Sequence, residues 1–366
     1  MLRDCLSGEI LLARSLLSAT IEELKALVTE LRQALPVPIT ATVSDGQDSV
    51  RKAVAQALPG VPHQLCHFHY LREAAMPVYE ADRHAKKELK KHVRGVRTLE
   101  RKAEKESGEE AAIMLDYCAA VRAAVTDDGR PPLDASGLKL QERLTRVAAS
   151  LDRVEAKLGR LPKGLERLRR LLRRALKQTS ALWPPVRATY RWVKRVARWL
   201  ENKPERPAKE VRRGLSALLS KIREAARQAK CAAVAEQLRR FVKVTKNWWG
   251  GLFHCYDSPD IPRTNNDLEH LFGSHRYHER RASGRKQASP GLVVQGSVRV
   301  VASLATRLRP EEGLKLRTGY VADWRKLRAD LDKRRESRRK QRRFRRDPTS
   351  YLSQLEERCL HPSLPP

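Results

Sequence analysis

The stretch from Pro38 to Leu71 constrains the fold more than any other. It reads PITATVSDGQDSVRKAVAQALPGVPHQLCHFHYL. Ile39, Ala41 and Val43 alternate with Thr40 and Thr42, which predicts a short, half-buried strand. Ser44-Asp45-Gly46 follows as a turn with a carboxylate just past the strand's carboxyl end. Val50, Ala53, Val54 and Ala57 then form a helical stripe that stops at Pro59-Gly60. A second strand is predicted from His63 to Phe68, running into Cys66-His67-Phe68-His69. In open α/β sheets reactive groups gather beyond the carboxyl ends of strands. Asp45 and the Cys/His cluster are therefore expected at one sheet edge.

Upstream, Ser7-Gly8 precedes the apolar run Glu9–Leu17, which looks like the second arm of a β-hairpin. Only Met1, Leu2 and Arg3 remain for the first arm, so the chain reads as beginning inside a hairpin. Thr20 with Glu23 three residues later predicts a capping box, ahead of a helix with the stripe Leu24, Leu27, Val28, Leu31. Residues 9–71 thus read strand, helix, strand, helix, strand, an α/β pattern.

From about residue 72 to 245 the helical period takes over. Leu144, Val147, Leu151, Val154, Leu158, Leu161, Leu165, Leu168 and Leu172 recur in alternating three- and four-residue steps, a heptad seam. Pro162-Lys163-Gly164 interrupts it and predicts two helices or a sharp kink. The seam is either an antiparallel pair within the chain or a dimerisation coil; the short uninterrupted runs favour the first. Trp192, Val196 and Trp199 share one helical face and read as core. The α/β character is expected to return near Trp248, followed by a helix opened by Thr264-Asn265-Asn266-Asp267.

Lys and Arg number 75 against 43 Asp and Glu, a formal net charge of +32. Such an excess calls for a polyanionic partner. Nucleic acid is favoured over membrane, because no apolar run approaches the ~20 residues of a spanning helix. The phosphate-contact candidates are Arg276, Arg280, Arg281, Arg285 and Lys286 in RYHERRASGRK, and Arg334, Arg335, Arg338, Arg339, Arg342 and Arg343 in KRRESRRKQRRFRR. Glu336 alone offsets the second block, which is expected to be helical or unstructured until bound. Six cysteines without a C-x-x-C pair read as reduced thiols of a cytoplasmic protein, and a DNA partner would make it nucleoid-associated. Asp4, Glu9 and Arg14 make the start a poor signal peptide.

Three constellations could carry chemistry. Asp45 sits at a strand end, where an ordinary Asp-Gly turn or a helix cap is the simpler account; Asp48 is better placed to cap. Glu269 could bind metal, or close a capping box with Asn266. Cys66 and His69, in C-x-x-H spacing, act together only if the strand ends near His67, since alternate strand residues face opposite ways. A zinc site would need His254 and Cys255 as further ligands; a buried thiol beside a hydrogen-bonded histidine is the alternative.

Taken together, SDGQDSVRKAV…LPGVPHQLCHFHYLR and, much later, TNNDLEHLFGSHRYHERR resemble bacterial insertion-sequence transposases of the Mutator-like, ribonuclease-H-like type over most of residues 1–310. The resemblance implies that Asp45 is the second and Glu269 the third acid of a DDE triad, and that Cys66 and His69 are the family's C-x-x-H. It implies Mg²⁺ or Mn²⁺ as cofactor, because in-line attack on a phosphodiester uses two cations ~4 Å apart, held by carboxylate oxygens. The implied partner is double-stranded DNA, both transposon ends and target, with a homo-oligomer as the active form, no membrane, and strand cleavage and transfer as the reaction.

The implied fold class is α+β or α/β. It is a ribonuclease-H-like core lacking its first strand (residues 1–83 and 247–310), a large all-α insertion (84–246) and a basic helical or unstructured tail (311–366). The first triad acid should end the missing strand, and Asp4, in a turn, does not replace it. The expectation is an N-terminally truncated protein with little strand-transfer activity; the alternative is a non-catalytic basic DNA-binding protein derived from a transposase.

Overall fold

The structure, a computed structural model, describes residues 1–14, 16, 18–129, 133–266, 268–270, 273, 277 and 321–361. They are mostly helical. Strands are few and short: β1 (Leu2–Arg3), β2 (Ile10–Leu12), β3 (Thr42–Ser44) and β4 (His63–Leu65). The described residues form two compact units, one drawn from 1–74, 195–228 and 238–277, the other from 75–194, 229–237 and 321–361.

In the first unit β1 and β2 pair antiparallel, Arg3 opposite Ile10 and Leu2 opposite Leu12. The hairpin read from Ser7-Gly8 therefore forms, with Leu2 and Arg3 as its first arm. Helix α1 (Ile21–Ala34) starts where Thr20 Oγ1 accepts the Glu23 N–H at 3.2 Å. Its Val28 joins Ala57 and Leu58, at the end of α2 (Asp48–Ala57), in a small core that Leu2, Ile39 and Val61 cover. Strands β3 and β4 pair parallel, Thr42 with His63 and Ser44 with Leu65, joined by α2 as the crossover. Helix α3 (His67–Ala74) follows directly.

The sheet expected of a ribonuclease-H-like core is not present among the described residues, which hold two separate two-stranded sheets. The apolar run 9–17 contributes only three paired residues, β4 stops at Leu65 instead of Phe68, and 249–256 turn into short 3₁₀ segments instead of a strand. The periodicity explains this: strand-type alternation never exceeds a few residues, while the 3.6-residue period runs for most of the chain. The expected strand-like apolar segment 292–308 lies outside the described residues.

The second unit is a helical bundle of α4 (Met76–His92), α5 (Val96–Ala103), α6 (Glu109–Val125), α7 (Ser136–Leu158) and α8 (Lys163–Gln178), with the start of α9 (Trp183–Glu201). Helices α10 (Ala208–Arg227) and α11 (Ala232–Trp248) follow, α10 belonging to the first unit. The heptad seam is spent inside the bundle: Leu144, Val147, Leu151, Val154, Leu165, Leu168 and Leu172 are all buried. Gly159, at φ 73°, ends α7 and Pro162 precedes α8. Arg169 bonds both Asp152 and Glu155, and Arg173 bonds Asp152, so α7 and α8 run antiparallel. This is the internal pair, not a dimer coil.

Residues 321–361 are α12 (Val321–Arg346) and α13 (Pro348–Leu360), and they close this bundle. Phe344, Leu352 and Leu355 are buried in its core. Lys340 Nζ lies 2.5 Å and Arg358 Nη1 2.7 Å from the buried carboxylate of Asp116 on α6. The sequence reading placed 195–246 in the insertion and 311–366 in a separate tail; here 195–228 and 238–246 join the first unit and the C-terminal helices join the second. Among the described residues no helix is long and apolar enough to cross a membrane.

Candidate functional site

Asp45 follows β3 directly. Gly46 takes φ 80°, and a Cβ there would stand 2.2 Å from the Trp248 ring, so the turn needs glycine for both its conformation and its clearance. Asp45 Oδ1 accepts the Gln47 N–H at 3.1 Å, an Asx turn. The strand end is clamped sideways: Ser44 Oγ meets His63 Nε2 at 2.8 Å and accepts the Gly46 N–H at 3.2 Å. Neither Asp45 nor Asp48 caps α2. Gln47 holds the cap position without a side-chain bond, and Asp48 pairs with Lys52 at 2.6 Å.

At the end of β4, the Cys66 N–H extends the pairing to Ser44 O at 2.8 Å, and Cys66 O accepts the Tyr70 N–H at 3.0 Å. Cys66 is thus the residue that starts α3. Its sulfur accepts the His69 N–H, as an oxygen would at a helix N-cap. Because β4 ends at Leu65, Cys66 and His69 come to the same side, one helical turn apart. The condition for their joint action is met by a strand three residues shorter than the sequence suggests.

The same sulfur also accepts the Asn265 N–H, and Arg263 O accepts the His67 N–H at 3.0 Å. These two bonds lay residues 263–265 across the strand end. Residues 266 and 268–270 are helical, with the Glu269 N–H on Asn265 O at 3.2 Å. Asn266 is therefore inside the helical turn and not its cap, so the Asn266–Glu269 capping box does not form. Glu269 Oε1 stands 3.9 Å from His69 Nε2.

The electrostatics bind this group together. The polar contact with Cys66 raises the His69 pKa above its ordinary value against the opposing effect of burial, and the charges of Cys66, Asp45 and Glu269 raise it further. His69 Nδ1 is buried without a hydrogen-bond partner. Burial pushes the Cys66 thiol up, but His69 and the two N–H groups outweigh it and leave the thiol below its usual value. Asp45 and Glu269, 224 positions apart in the sequence, thus both act on one imidazole.

The four zinc candidates do not converge on one point among the described residues. Cys255 Sγ approaches His67 Nε2 at 3.9 Å, not His69, and burial holds its thiol up at about 12. His67 is spent on Leu252 O at 2.8 Å. Among the described residues, no three His, Cys, Asp or Glu side chains converge as a metal cage. Two carboxylates remain, and Mg²⁺ is commonly held by one or two carboxylates plus substrate phosphates and water. Asn265 Oδ1, buried and without a hydrogen-bond partner, is a further oxygen beside Cys66.

Of the basic candidates, Arg276, Arg280, Arg281, Arg285 and Lys286 lie outside the described residues. Arg334, Arg335, Arg338, Arg339, Arg342 and Arg343 are exposed on α12. Arg335 is paired with Asp332 at 3.3 Å and Arg339 with Glu336 at 3.0 Å. The block is not free all round, since Lys340, Phe344 and Arg345 face α6. The sequence reading missed Arg263, Asn265 and the Ser44–His63 clamp. All three act through backbone or neighbour contacts that no spacing rule announces. Compared with models of known families, with curated proteins and with solved structures, the chain matches none of them.

Proposed function

We propose that this chain is a DNA strand-cleaving and strand-transferring protein of the insertion-sequence DDE transposase kind, with Asp45 and Glu269 as the carboxylates that act at the phosphodiester. One observation supports this above the others: Glu269 Oε1 stands 3.9 Å from His69 Nε2, and Asp45, just past the end of β3, adds its charge to the same imidazole. In this reading the β3–α2–β4 unit and the β1–β2 hairpin are parts of a ribonuclease-H-like core, and the protein works on double-stranded DNA as a homo-oligomer in the nucleoid.

Asp45 and Glu269 would hold Mg²⁺ or Mn²⁺, whose chemistry is to activate the attacking oxygen and steady the leaving one. The chain's own residues do the rest. The Gly46 turn and the Gln47 N–H fix one oxygen of Asp45 and leave the other to face the substrate. His69, biased toward its cationic form, offsets the repulsion between the two carboxylates and offers an N–H to a phosphate oxygen. Cys66 holds the turn that delivers Glu269.

Titration of the protein with Mn²⁺ in the presence of duplex DNA tests the assignment. The His69 imidazole resonances are expected to broaden, and the broadening to be lost in Asp45→Asn and in Glu269→Gln. Broadening that survives in both variants would remove the site.

A non-catalytic DNA-binding role is the second reading, favoured by Asp4. The carboxylate of this early acid accepts the Ser7 N–H at 2.8 Å and the Leu6 N–H at 3.3 Å, so it is spent on its own turn. Metal-dependent nicking of duplex DNA separates the two readings.

A further inference from the structure

Helix α8 carries a row of cations that no part of the site above uses. Lys163, Arg167, Arg170, Arg174 and Lys177 follow one another in steps of four, three, four and three, which keeps them on one line of the helix. All five are exposed. At 1.5 Å per residue the row is about 21 Å long. Its neighbours have partners: Arg169 and Arg173 are neutralised by Asp152 and Glu155 of α7. Within the row only Arg170 has one, Glu166 at 3.5 Å. Among the described residues no carboxylate lies within 4 Å of Lys163, Arg167, Arg174 or Lys177.

We propose that this ridge of α8 is a docking surface for double-stranded DNA. The rest of the helix excludes the other polyanions. A membrane-surface helix needs its apolar face for the lipid, but here Leu165, Leu168 and Leu172 are 2%, 0% and 0% exposed, committed to the bundle core. Single-stranded nucleic acid is held by aromatic stacking between the cations, and α8 has no aromatic residue. A helix about 10–12 Å across fits the ~12 Å major groove of B-form DNA, whereas the A-form groove of an RNA duplex is too narrow for it. The proposal shares its partner with the Asp45–Glu269 reading but uses none of that site's residues, so loss of the site leaves the ridge in place.

The test compares the full chain with Arg167→Gln/Arg174→Gln/Lys177→Gln in binding a 25-base-pair duplex across a salt series. The salt slope changes by about 0.9 per phosphate contact, so the triple variant is expected to lose two to three units of slope. Affinity is expected to fall ~10-fold or more near 100 mM salt, with thermal unfolding unchanged. Arg167→Lys/Arg174→Lys keeps the charge and is expected to keep the slope. Equal affinity and slope for parent and triple variant overturn the proposal while leaving DNA binding elsewhere intact. A parent that binds no duplex DNA overturns this proposal and the DNA assignment together. A parent that prefers an RNA duplex, single strands or anionic vesicles over the DNA duplex, with the preference lost in the triple variant, gives the ridge to that partner instead.

Discussion

The Asn265 backbone N–H donates to Cys66 Sγ, so the residue that closes β4 also holds the turn from which Glu269 projects. The thiol is fully buried, at 0% exposed. It serves two N–H groups at once.

Cys66→Ala is therefore expected to cost about 1–3 kcal/mol, the usual penalty for a buried donor left without its partner. Cys66→Ser should lose less, because a hydroxyl oxygen accepts the same bonds. Urea unfolding monitored on the first unit measures both. Equal stabilities for the parent, Ala and Ser forms would show that the sulfur carries no such duty.

The histidines make opposite contributions to the pH profile. Burial, with help from Arg51 and His254, lowers the His63 pKa to about 4, and burial lowers His67 to about 4. Unfolded histidine protonates near 6.5, so stability from these two is full above that value and drains as pH falls from 6.5 toward 4. His69 is raised, so its contribution is full below 6.5 and is lost as pH climbs through its higher folded value. His63→Gln should flatten the acid limb of a stability–pH curve and His69→Gln the alkaline limb. Both substitutions flattening the same limb would contradict the charge arrangement around Asp45.

In the helical bundle, Asp116 holds Lys340 and Arg358 from two C-terminal helices. The carboxylate is 9% exposed and its partners 33% and 38%. Breaking a buried pair costs roughly 3–5 kcal/mol, and the half-exposed cations place Asp116→Ala at the lower end. Limited proteolysis should then cut between α12 and α13 well before the α7–α8 hairpin. A cleavage pattern identical to that of the parent would mean that Phe344 and Leu352 hold these helices alone.

Much of the site was legible as sequence because its signals are local. The Ser44-Asp45-Gly46 turn, the Pro59-Gly60 stop and the C-x-x-H all lie within one βαβ unit, and Thr20 caps α1 where the Thr20–Glu23 spacing put it, whereas the alternation at 39–43 forms strand only from Thr42 to Ser44. The end of β4 was misjudged by three residues, since His67 and Phe68 suit a strand as well as a helix start. What decides is Cys66, which offers an acceptor to the first turn of α3. The docking of α12 and α13 was missed because Phe344 sits among arginines that dominate the local pattern, and Tyr351, Leu352 and Leu355 are few apolar residues in a short polar stretch after them. The one cue was Asp116, a lone acid within the apolar run of α6, and its partners are over 220 positions away.

The bundle's late completion has a bearing on how the protein is made. Arg345 donates to Ala123 O from 222 positions downstream, and Phe344 fills core space that α6 and α7 line. At about 5–20 residues per second of synthesis, α6 waits roughly 10–45 s on the ribosome before the aromatic plug that covers it exists. Through that interval an alanine- and valine-rich flank is wet and sticky, so the nascent chain is a natural client for chaperones that shield such surfaces until translation reaches Leu355.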